Sequence, residues 1–229
     1  MAHQLVYLTG FNASGKTTMA QSVASAHKAW HCVDGDEFVE NDPQLLEAIK
    51  GASAVINLMR GTFGNGNIIE EVKKHDAEVR TAWEPFFRAL FEKVKQIDER
   101  KIVLVYHCWR LWIVDLLREY FPTSKIVEVQ VTRSVLLDRF VEREVKNGMN
   151  HEALWREDQG ERFAMLREMY GPEYKGNEDN YKAFVEWRFY YYREPIPEGE
   201  NSFVVNNDNL DGAQQLEKIL ETIVGEAQD

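Results

Sequence analysis

The sequence predicts an α/β fold, a five-stranded parallel sheet with helices on both faces. Three observations predict it. Short apolar runs alternate with helix-period segments along the chain, the pattern of parallel strands joined by crossover helices. One run, Lys101 to His107 (KIVLVYH), is nearly continuous in apolar residues, as a strand covered on both faces must be. A loop bounded by Gly10 and Gly15 separates the first strand from the first helix. With 229 residues, 44% of them hydrophobic, the chain can bury a substantial core without disulfides or metals.

The elements follow in order. Gln4 to Thr9 reads as the first strand, Lys16 to Ala29 as a helix rich in Ala, Thr and Ser, and Trp30 to Val33 as the second strand. Glu37 to about Arg100 reads as mostly helical and polar, broken by a glycine- and asparagine-rich turn from Gly61 to Asn67. After the strand at 101–107, a helix from Leu111 to Tyr120 stops before Pro122. Ile126 to Val131 is the fourth strand and Ser134 to Lys146 the next helix. Ser202 to Val205 is the fifth strand, and Leu210, Ala213, Leu216, Ile219, Leu220 and Ile223 line one face of a closing helix. Residues 40–100 and 145–200 do not fit the alternation. They read as insertions on a single domain of residues 1–229, the first on the substrate side and the second as a lid.

Charge and composition narrow the function. Lys and Arg number 27 against 38 Asp and Glu, a net charge of −11. A field of that sign repels nucleic acid and anionic membranes, so a small-molecule partner is expected. No apolar run approaches the ~20 residues that span a bilayer. The opening Met-Ala-His-Gln lacks a basic leader, and two cysteines, Cys32 and Cys108, cannot build a disulfide framework. A cytoplasmic, reducing location is expected.

Gly10, Phe11, Asn12, Ala13, Ser14, Gly15, Lys16 and Thr17 match G-x-x-x-x-G-K-[ST] at every fixed position. Phosphates are bound there by backbone N–H groups that converge only where glycine lets the chain turn tightly at a helix N-terminus. Lys16, its side chain in an open loop, is predicted to reach the β- and γ-phosphates of a nucleotide. Thr17 is predicted to ligate Mg²⁺ and Thr18 to add a bond to the α-phosphate. The switch motifs of a GTPase are absent, since Asn206-Asn207-Asp208-Asn209 lacks the guanine-reading Lys. The third strand ends in His107, Cys108, Trp109 and Arg110 rather than the acidic residue of a hydrolytic motor.

Asp34-Gly35-Asp36 closes the second strand, at the sheet edge where α/β proteins bind ligands. A carboxylate there can orient or deprotonate an attacking hydroxyl and hold Mg²⁺. Asp36 is the predicted catalytic residue and metal ligand, with Asp34 beside it on the substrate side. The competing role for Asp36 is to cap a helix that begins near Glu37.

The phosphate loop paired with Asp34-Gly35-Asp36 resembles the small-molecule P-loop kinases of the gluconate, shikimate and adenylylsulfate kinase group. The resemblance continues at Arg110, at Asp115-Leu116-Leu117-Arg118 and at Arg139-Phe140-Val141-Glu142-Arg143. It covers residues 4–36, 101–145 and 202–224. It implies a sheet of order 2-3-1-4-5 and ATP- and Mg²⁺-dependent phosphorylation of a hydroxyl on a small metabolite such as a sugar or sugar acid. It also implies that Arg139 and Arg143 act from the lid on the ATP phosphates, and that Asn207 reads the base. The departures lie on the acceptor side. No His follows Asp36, and His107-Cys108-Trp109 stands where gluconate kinases carry Ser-Ala-Leu.

Arg60 and Arg110 are predicted to pair an acidic group of the substrate. His107 and Cys108 lack a second ligand pair and read as a packed strand end. The aromatic run from Phe184 to Tyr192 reads as core or lobe contact rather than a stacking platform. The same residues also allow a nucleoside or nucleotide kinase, or an ATP-binding regulatory protein without catalysis.

Overall fold

The computed structural model describes residues 3–60, 75–108, 110–146 and 194–226. Its strands are β1 (Gln4–Gly10), β2 (His31–Asp34), β3 (Lys101–Val105), β4 (Lys125–Gln130) and β5 (Ser202–Asn206). They form one sheet in the order β2-β3-β1-β4-β5, and every pairing is parallel. The helices are α1 (Lys16–Ala26), α2 (Gly35–Glu40), α3 (Pro43–Arg60), α4 (Asp76–Lys95), α5 (Leu111–Tyr120), α6 (Arg133–Lys146) and α7 (Gly212–Glu226). This is the fold class read from the sequence and the strand order that the resemblance implied. The turn at 61–67 and the aromatic run at 184–192 lie outside the described residues. Among the described residues, no helix is long and apolar enough to cross a membrane.

Strand alternation divides the core in two. Leu5, Tyr7, Ile102, Leu104, Tyr106 and Ile126 face α4 and α5 on one side of the sheet. Val6, Leu8, Val103, Val105, Val127 and Val129 face α1 and α7 on the other, meeting Met19, Val23, Leu216 and Leu220. The segment expected to be polar departs most from that reading. α4 is amphipathic and buries Val79, Phe86, Phe87, Leu90, Phe91 and Val94 on one face. It is therefore the helix that covers the sheet between β2 and β3 in chain order, not a solvated appendage. Phe87 sits within 6.0 Å, centroid to centroid, of Phe86, Phe91, Tyr106 and Trp112. Truncating it to Ala would cost ~3–5 kcal/mol, the usual worth of a large buried ring.

Leu210 is a second departure. The periodicity assigns it to the buried face of the closing helix, but α7 starts at Gly212. Leu210 precedes it, with φ of +62° and 73% of its surface exposed.

Candidate functional site

The carboxyl edge of the sheet carries a cavity of about 240 Å³. Its walls come from the loop after β1 (Asn12, Ala13, Gly15), the first turn of α1 (Lys16, Thr17, Thr18), Asp34 and Asp36, Tyr106 and His107 after β3, and Arg143 of α6.

The loop is shaped by backbone geometry that few residues tolerate. Gly15, the residue before α1, has φ of +91°, and a Cβ there would lie 2.6 Å from Asn207 Nδ2. A Cβ on Gly10 would meet the Val129 carbonyl oxygen at 2.4 Å. Ala13 takes φ of +64° without being glycine, a local strain of about 1–3 kcal/mol that functional loops commonly carry. No side chain caps α1, so its leading N–H groups face the cavity and present a site for an anion. The Ser14 hydroxyl is buried without a hydrogen-bond partner among the described residues.

Lys16 differs from its expected place in an open loop. Only 8% of it is exposed, and its ammonium folds back to donate to the Phe11 carbonyl oxygen at 2.8 Å. The cation is held inside the curl of the loop, next to the N-terminus of α1. Thr17 is half-buried beside it, and Thr18 is exposed on the next turn.

The two acidic residues divide the roles that the sequence left competing. Asp34, not Asp36, caps α2: its Oδ1 accepts from the backbone N–H groups of Asp36 at 3.0 Å and Glu37 at 3.4 Å. That leaves the Asp36 carboxylate aimed at the cavity, with 66% of its side chain open. Thinned hydration in the cleft, and next the charge on Asp34, push its pKa above the ordinary carboxylate value, while Lys16 and Arg143 pull it down. A group so poised can take a proton from a hydroxyl and also sit near a cation.

The arginines separate. Arg143 lines the cavity and acts on Asp36 electrostatically. Arg139, one turn earlier on α6, turns the other way: its Nη2 donates to the backbone oxygens of Asn207 at 2.7 Å and Asp208 at 2.8 Å. It is committed to the loop after β5 rather than to the cavity, which corrects its expected place on the phosphates. Arg110 is 5% exposed and its Nε donates to Asp76 Oδ1 at 2.7 Å, so the guanidinium is paired with α4 and does not line the cavity. Arg60 is the last residue of α3, and its side chain lies outside the described residues.

Asn207 is also reassigned. It is 2% exposed, its Nδ2 donates to the Ser14 carbonyl oxygen at 2.8 Å, and its Oδ1 accepts from the Gly212 N–H at 3.1 Å. The amide therefore ties the phosphate loop to the loop after β5 and is not turned outward to read a base.

His107, read from the sequence as a packed strand end, lines the cavity. The chain after β3 is pinned to β1 at three successive residues. The Tyr106 N–H donates to the Leu8 oxygen at 3.2 Å, the Tyr7 hydroxyl to the His107 oxygen at 2.7 Å, and the Cys108 N–H to Thr9 Oγ1 at 2.8 Å. Strand alternation then turns the His107 ring to the phosphate-loop side, where its Nε2 lies 3.8 Å from Asp36 Oδ1. The available signal was that alternation, counted two residues past the ladder.

No protein-family model and no curated protein matches the chain. Solved structures do. A sugar kinase from a Janibacter species matches at a TM-score of 0.52 and 17% identity, over 96% of this chain and 93% of that one. A gluconokinase from Sinorhizobium meliloti matches at 0.48 and 14%, over 96% of both chains. A shikimate kinase from Bacteroides thetaiotaomicron matches at 0.44 and 15%, over 95% of this chain and 98% of that one. The chain shares the fold of the sugar kinase structure, an α/β fold of the class the sequence led one to expect.

Proposed function

We propose that this chain is an ATP- and Mg²⁺-dependent kinase that phosphorylates a hydroxyl of a small metabolite, a sugar, sugar acid or similar compound. One observation carries the reading: an anion-binding loop with its lysine and an open, proton-accepting carboxylate face each other across a single cavity. The likeness to a solved sugar kinase supports the fold on which this arrangement is built.

The donor set fits a nucleotide phosphate chain. The uncapped N–H groups of α1, the buried and unpartnered Ser14 hydroxyl and the enclosed Lys16 ammonium all suit phosphate oxygens. Gly10, Asn12, Ala13, Ser14, Gly15, Lys16, Thr17 and Thr18 would hold that chain. Thr17 and Asp36 would hold Mg²⁺, which neutralises charge on the phosphates when bound. In the reaction, the acceptor oxygen forms a bond to the γ-phosphorus as the bond to the bridging oxygen breaks and ADP leaves. The hydroxyl proton passes to the Asp36 carboxylate. Lys16 and Arg143 stabilise the negative charge spread over the transferring group.

The partner is a small molecule, and we place the reaction in the cytoplasm. The test is ADP release with a panel of sugars, sugar acids and polyols, wild type against Asp36→Asn. The substitution keeps size and should lower turnover ~10²–10⁴-fold, the usual worth of positioned base catalysis. Its melting temperature should hardly move, since the cap of α2 is Asp34. An Asp36→Asn protein that turns over at the wild-type rate removes Asp36 from the mechanism.

A further inference from the structure

We propose that His27, Glu217 and Glu221 form a second cation site, which takes a divalent transition-metal ion of the zinc type and ties the far end of α1 to α7.

Two helices that the core already holds together build the site. α1 and α7 pack through Met19 and Val23 against Leu216 and Leu220 on one side of the sheet. Glu217 follows Leu216 and Glu221 follows Leu220, so the two carboxylates repeat the spacing of the buried leucines one residue further round the helix. Four residues apart, they lie on one face, one above the other. His27 closes α1 as its C-terminal cap. Its N–H donates to the Val23 oxygen at 2.8 Å, and its own oxygen accepts from the Trp30 N–H at 2.9 Å. Trp30 is 5% exposed in the same core, so the backbone that carries the imidazole is anchored on both sides. His27 Nε2 thereby lies 2.5 Å from Glu217 Oε1, although 190 residues separate the two.

The donor atoms have the kind and spacing that an ion needs. Nε2 and one oxygen from each glutamate all lie within 4.8 Å of one another. Donors held at ~2.1 Å around a tetrahedral or octahedral ion stand ~3.0–3.5 Å apart. The imidazole and Glu217 therefore part by ~0.5–1 Å on binding, while Glu221 closes by rotating its exposed side chain. Like charges at this helical spacing disfavour the helix, and a divalent cation shared by both glutamates reverses that effect. The imidazole selects the cation: a ring nitrogen suits Zn²⁺, Cu²⁺ and Ni²⁺, whereas Mg²⁺ and Ca²⁺ take oxygen donors. The ion binds the neutral ring through the Nε2 lone pair, with the ring proton on Nδ1, and replaces the hydrogen between Nε2 and Glu217. The His27 and Glu217 side chains are 36% and 39% exposed, open enough for water to complete the coordination. The length of α1, ~16 Å, separates His27 from Lys16 and sets this ion apart from the Mg²⁺ proposed for the phosphate cavity.

The test titrates untagged, EDTA-treated protein with Zn²⁺ in a buffer holding excess Mg²⁺, by calorimetry and by thermal melting. Wild type, His27→Ala and Glu221→Gln are compared. Wild type should bind one Zn²⁺ that both variants bind ~10²-fold more weakly or worse, since even an outer-shell partner is worth 10–100-fold in metal affinity. The ligands are far apart in the unfolded chain, so a hundredfold excess of Zn²⁺ over Kd should raise the wild-type melting temperature by ~5–10 °C and leave His27→Ala unmoved. Glu221→Gln leaves the His27–Glu217 contact in place and keeps the proposal testable if His27→Ala fails to fold. Equal Zn²⁺ affinity in wild type and Glu221→Gln overturns the proposal, as does a wild type that binds no Zn²⁺. So does a rise in melting temperature that Mg²⁺ reproduces in full, the mark of an acidic patch screened by any divalent ion.

Discussion

Removing the Asn207 side chain separates a structural brace from a base-reading residue. Its amide makes two buried hydrogen bonds, to the Ser14 carbonyl and from the Gly212 N–H. It is wedged between two glycines: a Cβ on Gly15 would come within 2.6 Å of its Nδ2, and one on Gly212 within 2.7 Å of its Oδ1. In Asn207→Ala both backbone partners lose their bonds where the protein gives water little room. Each unsatisfied buried group costs ~1–3 kcal/mol, so the pair should cost about 2–4 kcal/mol once partial hydration is allowed for. At this chain length 1 kcal/mol moves the melting temperature by ~2–4 °C, so a fall of ~5–15 °C is expected. Asn207→Asp is the sharper probe. It still accepts from Gly212 but sets a carboxylate oxygen against the Ser14 carbonyl, and it should be at least as destabilised. The assay is a thermal melt followed by circular dichroism, with calorimetric MgADP binding on the same samples. If Asn207 read the base, affinity would fall with the melt unchanged. A melting temperature within ~2 °C of wild type in Asn207→Ala would refute the bracing argument.

The two arginines of α6 should behave differently. Arg139→Ala loses two charge-assisted bonds to the loop after β5 and should lower stability by about 1–2 kcal/mol, whereas Arg143→Ala should lower kcat; an Arg143→Ala protein with wild-type kcat would count against this division. Arg110→Ala leaves Asp76 without its ion-pair partner. Because Asp76 is 43% exposed, the loss should be about 2 kcal/mol rather than the ~3–5 of a fully buried pair, read from urea unfolding. Asp42 bonds Lys93 Nζ at 2.6 Å and accepts from the Gln44 and Leu45 N–H groups; the lysine first, then the Leu45 amide, hold its pKa below the ordinary value. A carboxylate lowered in the folded state stabilises above its unfolded pKa of ~3.9 and stops doing so as pH falls through the lower native value. The gap in melting temperature between wild type and Asp42→Ala should therefore be present at pH 7 and narrow toward pH 3; a gap independent of pH would contradict the assignment.

Legibility in the sequence followed distance along the chain. The phosphate loop was readable because every residue that shapes it is contiguous, from Gly10 to Thr18. The strands were readable because burial on both faces leaves runs such as that of β3. The acidic pair was half readable: helix periodicity put the start of α2 at Glu37, but Gly35 is already its first residue, which hands the cap to Asp34. Leu210 misled because its spacing to Ala213 continues the helical period past the point where the helix begins. Arg110 and Asn207 were misassigned for one reason. Their partners, Asp76 at 34 residues and Ser14 at 193, leave no local trace. An unpaired arginine at a strand end and an arginine neutralised from a distant helix look the same in one dimension.

Asn207 and Arg139 both brace the nucleotide half of the site. Asn207 ties the loop after β5 to the phosphate loop, and Arg139 ties α6 to that same loop. A shift in any one of the three is therefore resisted by the other two. The opposing half rests on different supports, Asp36 at the start of α2 and His107 on the β1-pinned extension of β3. Described hydrogen bonds of the first group do not include either of these side chains. Substitutions in the braced half should thus register first as stability and only then as affinity. A substitution at Asp36 should register as turnover in a protein that melts normally.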